Sequence, residues 1–108
     1  MIEKYYTDGS YADGMGGAAY VKAPLVTWTK KIKSADSYLP ELLSIQKVTH
    51  DAVGPFCICT DHFTSAERLR DMITNPNWHS PEKYKEIWDD IAPICADAPL
   101  NANSGFIG

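Results

Sequence analysis

Phe56-Cys57-Ile58-Cys59-Thr60 is followed at once by Asp61, and this short stretch decides how the rest of the chain must be arranged. A continuous apolar run of this length is expected of a strand covered on both faces. Such a strand lies inside a sheet flanked by helices and ends where a charged residue can reach solvent. Upstream, Ser37–Val48 has helical periodicity, with Pro40 tolerable in the first turn and Leu39, Leu42, Leu43 and Ile45 supplying apolar surface. Further upstream, strand-type segments at Tyr5–Asp8, Gly17–Lys22 and Leu25–Ile32 are separated by a glycine-bearing turn over Tyr11–Gly17 and by Pro24. Connections this short predict an antiparallel meander, with Val26, Trp28 and Ile32 on one face of its third strand. A helical crossover then leads to a strand parallel to the first.

Downstream, Thr64–Ile73 predicts a second helix closed by Asn75-Pro76-Asn77. Ser80-Pro81-Glu82 has the chemistry of a helix start: a capping serine, proline at the first position, and an acid at the positive end of the dipole. Tyr84, Ile87, Trp88 and Ile91 then recur at i, i+3, i+4 and i+7 as one buried stripe. The tail from Ile94 is expected to supply one more strand before fraying beyond Pro99. The expectation is a single α/β domain over residues 1–108, a mixed sheet flanked by helices.

Composition narrows the function classes. The chain has 108 residues, 44% hydrophobic and 22% charged, the balance of a folded globular domain. No apolar run approaches the ~20 residues that span a bilayer, and Met1-Ile2-Glu3-Lys4 does not open a signal peptide. No membrane association and a cytoplasmic setting are therefore expected. The three cysteines form no disulfide framework. Cys57 and Cys59 are expected on opposite faces of their strand, Cys95 stands alone, and Cys59-x-x-His62 lacks the second pair of a zinc site. The net charge of −4 counts against a polyanion as partner, although Lys22, Lys30, Lys31 and Lys33 group together while acids crowd between Glu82 and Asp97.

Asp8 ends the first predicted strand, Asp61 ends the fourth, and Glu41 stands in the first turn of the first helix. Parallel neighbouring strands would set the two aspartates side by side, with the glutamate above them. Three convergent carboxylates repel one another and raise their own pKa values. A divalent cation relieves the repulsion, and an all-oxygen donor set suits Mg²⁺ or Mn²⁺. On these residues alone, a plain alternative stays open, because aspartate at a strand end also makes turns and caps helices.

Tyr6-Thr7-Asp8-Gly9-Ser10 and the glycine-rich segment to Ala19 resemble the opening of ribonuclease HI. Leu39-Pro40-Glu41-Leu42-Leu43 resembles that family's glutamate-bearing helix, Ile58-Cys59-Thr60-Asp61 its second aspartate strand, and Glu82–Ile91 its later tryptophan-bearing helix. The match runs from about residue 4 to residue 92. The order Asp, Glu, Asp differs from that of transposases and integrases of the same superfold, whose glutamate comes last. The resemblance implies a ribonuclease H-like fold and Mg²⁺-dependent endonucleolytic hydrolysis of the RNA strand of an RNA–DNA hybrid. It implies Asp8, Glu41 and Asp61 as catalytic metal ligands, with Ser10, Asp36 and Ser37 against the substrate. Trp78, in a loop, is a candidate for stacking on a base.

The resemblance fails at the end of the chain. The family's fourth aspartate and mobile histidine correspond to residues 98–108, which hold no acid and no histidine, and Asp97 is the nearest carboxylate that could serve as a further ligand. The basic loop of some members is also missing, since Asn75–Lys83 has one lysine. A second reading is therefore a catalytically silent ribonuclease H-like module that binds nucleic acid or a protein. The surface left by the missing last helix would serve a protein partner or a homodimer.

Overall fold

In the computed structural model, residues 3–22, 25–53 and 56–97 are described. The chain runs β1 (Glu3–Ala12), β2 (Met15–Lys22), β3 (Leu25–Lys33), α1 (Tyr38–Asp51), β4 (Phe56–Thr60), α2 (Phe63–Thr74), α3 (Lys85–Asp97). The four strands form one mixed sheet in the order β3-β2-β1-β4, antiparallel except for the parallel pair β1–β4. It is the α/β architecture of a meander, a helical crossover and a parallel return. No helix among the described residues is long and apolar enough to cross a membrane.

Alternation sorts the sheet into two faces. Tyr5 and Thr7 of β1 and Gly16, Ala18 and Tyr20 of β2 are buried beneath α1, while Tyr6, Asp8 and Ser10 point the other way and are exposed. Leu42, Ile45 and Val48 form the inward stripe of α1, and Trp88, Ile91 and Cys95 that of α3. Full burial of each large apolar side chain contributes roughly 1.5–3 kcal/mol. The Trp88 indole N–H donates to the Tyr38 hydroxyl at 3.0 Å, so the buried ring leaves no donor unmet.

Several local expectations are corrected. The turn between β1 and β2 is only Asp13-Gly14, with φ of 52° and 79°. Positive φ at both central residues is the two-residue hairpin geometry that Asp-Gly favours, so Tyr11, Ala12 and Met15–Gly17 belong to strands. Gly16 is small for a packing reason: a Cβ there would lie 2.4 Å from Pro40 Cγ. Trp28 and Ile32 do share the α1 side of β3, by their register with Tyr20 and Gly16; the side chain of Val26 lies outside the described residues.

The third helix starts at Lys85, not at Ser80. Tyr84 has φ of 59°, outside helical space. Lys83 Nζ and the Tyr84 hydroxyl both donate to Asp36, at 2.7 Å and 3.2 Å. That clasp holds residues 83 and 84 out of the helix, and Ser80 instead donates its hydroxyl to Asp89. The expected strand from Ile94 is replaced by helix through Asp97, despite Pro93 within it. Whatever follows, over residues 98–108, lies outside the described residues. Cys57 and Cys59 lie on the same face, their sulfurs 3.9 Å apart; residues two apart on a strand must, because the alternation has period two.

Gly9 is the contact on which the layers depend. A Cβ at Gly9 would stand 2.4 Å from the Glu41 backbone nitrogen and 2.7 Å from its Cα, so only glycine lets the first turn of α1 settle against β1. Gly9→Ala should therefore destabilise the protein by about 1–3 kcal/mol, the usual range for overpacking. Urea unfolding checks this: an unchanged midpoint would show that the helix start can withdraw without cost.

Candidate metal centre

The parallel ladder between β1 and β4 ends at Thr7↔Thr60. The next residue on each strand is an aspartate, so Asp8 and Asp61 emerge together where pairing stops. Asp8 is not at the end of β1, which continues to Ala12 against β2 alone. Glu41 enters from above, in the first turn of α1. One carboxylate oxygen from each of Asp8, Glu41 and Asp61 lies within 4.8 Å of the other two; Glu41 is buried and both aspartates are exposed.

Glu41 is 1% exposed. The Thr7 hydroxyl donates to its Oε1 at 2.6 Å and the Thr60 hydroxyl to the same oxygen at 2.5 Å. Both threonines are themselves buried. Two donors on one oxygen fix the carboxyl plane and leave Oε2 for a cation. Burial pushes the Glu41 pKa up; the hydroxyls of Thr60 and Thr7 and the nearby His62 pull it down, and Asp61 pushes it up again. The outcome is a carboxyl held above the ordinary glutamate value. The donor set is all oxygen, with one ligand buried and oriented and two facing solvent, which fits a hard divalent cation that keeps part of its water shell.

The neighbours are occupied with structure. Asp36 accepts the Leu39 N–H at 3.1 Å and thereby caps α1, while Ser37, at the formal cap position, makes no side-chain cap bond. Burial alone would raise the Asp36 pKa, but Lys83, the Leu39 N–H and Tyr84 outweigh it and hold the carboxyl below its usual value. Ser10 is exposed, its hydroxyl 3.5 Å from the Gly17 carbonyl. It lines a shallow groove with Asp8, Ala19, Thr29 and Lys31. Trp78 is half-buried and meets Trp88 edge-on at 6.4 Å, packed against the core. The backbone of Asp97 closes α3, and its side chain lies outside the described residues.

One part of the site escapes a sequence reading centred on acids. Thr7 and Thr60 hold Glu41, and the signal for them is the repeated Thr-Asp dipeptide at 7–8 and 60–61. His62 caps α2: its Nδ1 accepts the Ser65 N–H at 3.2 Å, and its ring stacks on Tyr38 at 5.3 Å.

The raised pKa of Glu41 fixes the sign of a pH effect. A carboxyl that binds its proton more tightly when folded contributes stability below the ordinary glutamate range, and this is lost as pH rises through the folded-state value. In EDTA, Glu41→Gln, whose amide oxygen still accepts from both threonines, should be more stable than the parent at pH 7–8 and converge with it toward pH 4. Millimolar Mg²⁺ should stabilise only the parent, by mass action. Urea titrations across this pH range measure both; a difference independent of pH would overturn the assignment of the strain to Glu41.

No protein-family model matches the chain and no curated protein is significantly similar to it, so the site stands on its geometry and its motifs.

Proposed function

We propose that the chain is a ribonuclease H-like, Mg²⁺- or Mn²⁺-dependent endoribonuclease that hydrolyses the RNA strand of RNA–DNA hybrids in the cytoplasm. The observation that carries this reading is the convergence of Asp8, Glu41 and Asp61 within 4.8 Å at the end of a parallel strand pair. The motif order Asp, Glu, Asp on a meander–helix–strand frame supports it. So do three cysteines that form no disulfide, as suits a reducing compartment.

The residues divide the work. Asp8 and Asp61, exposed at the sheet edge, and the free oxygen of Glu41 would hold the cation. Bound there, Mg²⁺ supplies charge stabilisation for an in-line displacement at phosphorus and lowers the pKa of the attacking water. Thr7 and Thr60 keep Glu41 in one orientation, so little reorganisation is needed when the cation arrives. Ser10 and Lys31 flank Asp8 on the open sheet face, where a phosphate backbone would be received.

One observation favours the second reading, a silent module that binds a protein partner. The open face exposes Tyr6 at 46%, two residues from Asp8, and Met15 at 47%, opposite Ala12 at the hairpin end. Both side chains stand on the face that no helix covers, where a protein partner would be received.

A labelled hybrid incubated with Mg²⁺ or Mn²⁺ separates the two. The proposal expects cleavage of the RNA strand only, reduced in Asp8→Asn by more than the ~100-fold that loss of a supporting contact can cost. Thr60→Val should lose about 10–100-fold in activity while keeping its fold. Absence of cleavage by a protein that binds Mn²⁺ in calorimetry would favour the silent module.

A further inference from the structure

A groove of substantial volume lies away from the carboxylates. Glu41 stands in the first turn of α1 and His50 is nine residues further along it, about 14 Å at the helical rise. α1 lies over β1 and β2, leaving the edge strand β3 uncovered on that side. Trp28 and Lys30 face this opening, since register pairs them with Tyr20 and Ala18, both buried on the α1 side. Leu43, Gln46, Lys47 and His50 of α1 form the opposite wall, and the open groove between them measures about 440 Å³. That is within the range of small-ligand sites, roughly 300–1,000 Å³.

The lining has a definite chemistry. One ring, Trp28, is held near-parallel to Tyr20 at 6.1 Å, so it is rigid and only half-buried. Lys30, Lys47 and His50 point to the same space, and the lining includes no carboxylate. The two acids nearby are already engaged. Asp51 takes the Tyr20 hydroxyl at 2.6 Å and Lys47 at 3.1 Å; Asp90 takes His50 at 2.5 Å and Gln46 at 2.9 Å. Lys30 has no ion-pair partner among the described residues. With Lys47 and His50 paired to those acids, Lys30 is the uncompensated cation of the groove, opposite no carboxylate and next to an aromatic wall.

We infer that the groove between β3 and α1 binds a planar aromatic anion of nucleotide size, its ring on Trp28 and its anionic group on Lys30. The ring gains from stacking on a preformed indole, and the anion gains from an ammonium that gives up no internal partner to receive it. Neither contact is to a carboxylate of the metal centre, although Lys30 also borders the groove that holds Asp8.

The test uses AMP as the probe, in EDTA so that no cation bridges it to the carboxylates, with adenosine and inorganic phosphate as its separated halves. AMP should quench tryptophan fluorescence with a Kd near or below about 1 mM, and each half should bind at least about tenfold more weakly. Trp28→Leu should weaken AMP by about tenfold or more. Because Trp28 also packs on Tyr20, Lys30→Gln, a surface change, provides the second arm and should weaken AMP about fivefold while leaving adenosine unchanged. Asp8→Asn should bind AMP like the parent. AMP binding that ignores both Trp28→Leu and Lys30→Gln, adenosine binding as tightly as AMP, or no binding at about 10 mM would each overturn the inference.

Discussion

Placing an ionisable carboxyl at 1% exposure between two strands is costly: the charged form loses hydration worth several kcal/mol. Glu41 recovers part of this through two hydroxyls, one from each strand of the parallel pair β1–β4. The rest of the architecture answers to that arrangement. Thr7 and Thr60 can both reach Oε1 because β1 and β4 are parallel and in register there. Because they alternate with Asp8 and Asp61, fixing the threonines inward fixes the aspartates outward. A single buried group thus sets the register, the facing and the clustering of charge.

The approach of α1 makes the contact possible. Gly9 and Gly16 are flat spots on neighbouring strands, against the backbone of Glu41 and the ring of Pro40. Asp36 then ties the beginning of α1 to residues 83 and 84, and Lys83 also lies over the rings of Tyr38 and Tyr84. The helix carrying the buried ligand is therefore held from below by glycines and from its end by a charged clasp. Asp36, adjacent to the centre, has its oxygens committed to this mechanical task.

How far the sequence discloses this depends on the kind of interaction. Phe56–Thr60 is legible to the residue, because a five-residue apolar run has no other stable home. The Trp88–Ile91 stripe is legible because periodicity reports burial. The convergence of the three acids follows from strand order and from where apolar runs stop. The start of α3 is not legible: Ser80-Pro81-Glu82 carries good capping chemistry locally, but Asp36, far away in the chain, holds Lys83 and Tyr84. The extent of the β1–β2 hairpin is hidden too, since glycines placed for packing look like glycines placed for turning. The hydroxyls of Thr7 and Thr60 go unnoticed because threonine in a strand is ordinary.

The parallel pair has a consequence for the order of assembly. The β1–β2–β3 meander closes through short connections, and α1 follows directly, so these parts can form from local contacts. The β1–β4 ladder must wait for the whole meander and α1 to be spanned, and a closure of that length is entropically slow. Before β4 docks, Glu41 is near Thr7 alone, and Asp61 is far from Asp8. The carboxylates are thus brought together only as β4 docks, in the same step that buries Phe56, Cys57, Ile58 and Cys59. A chain that forms its charged cluster last can tolerate one that would have discouraged nucleation.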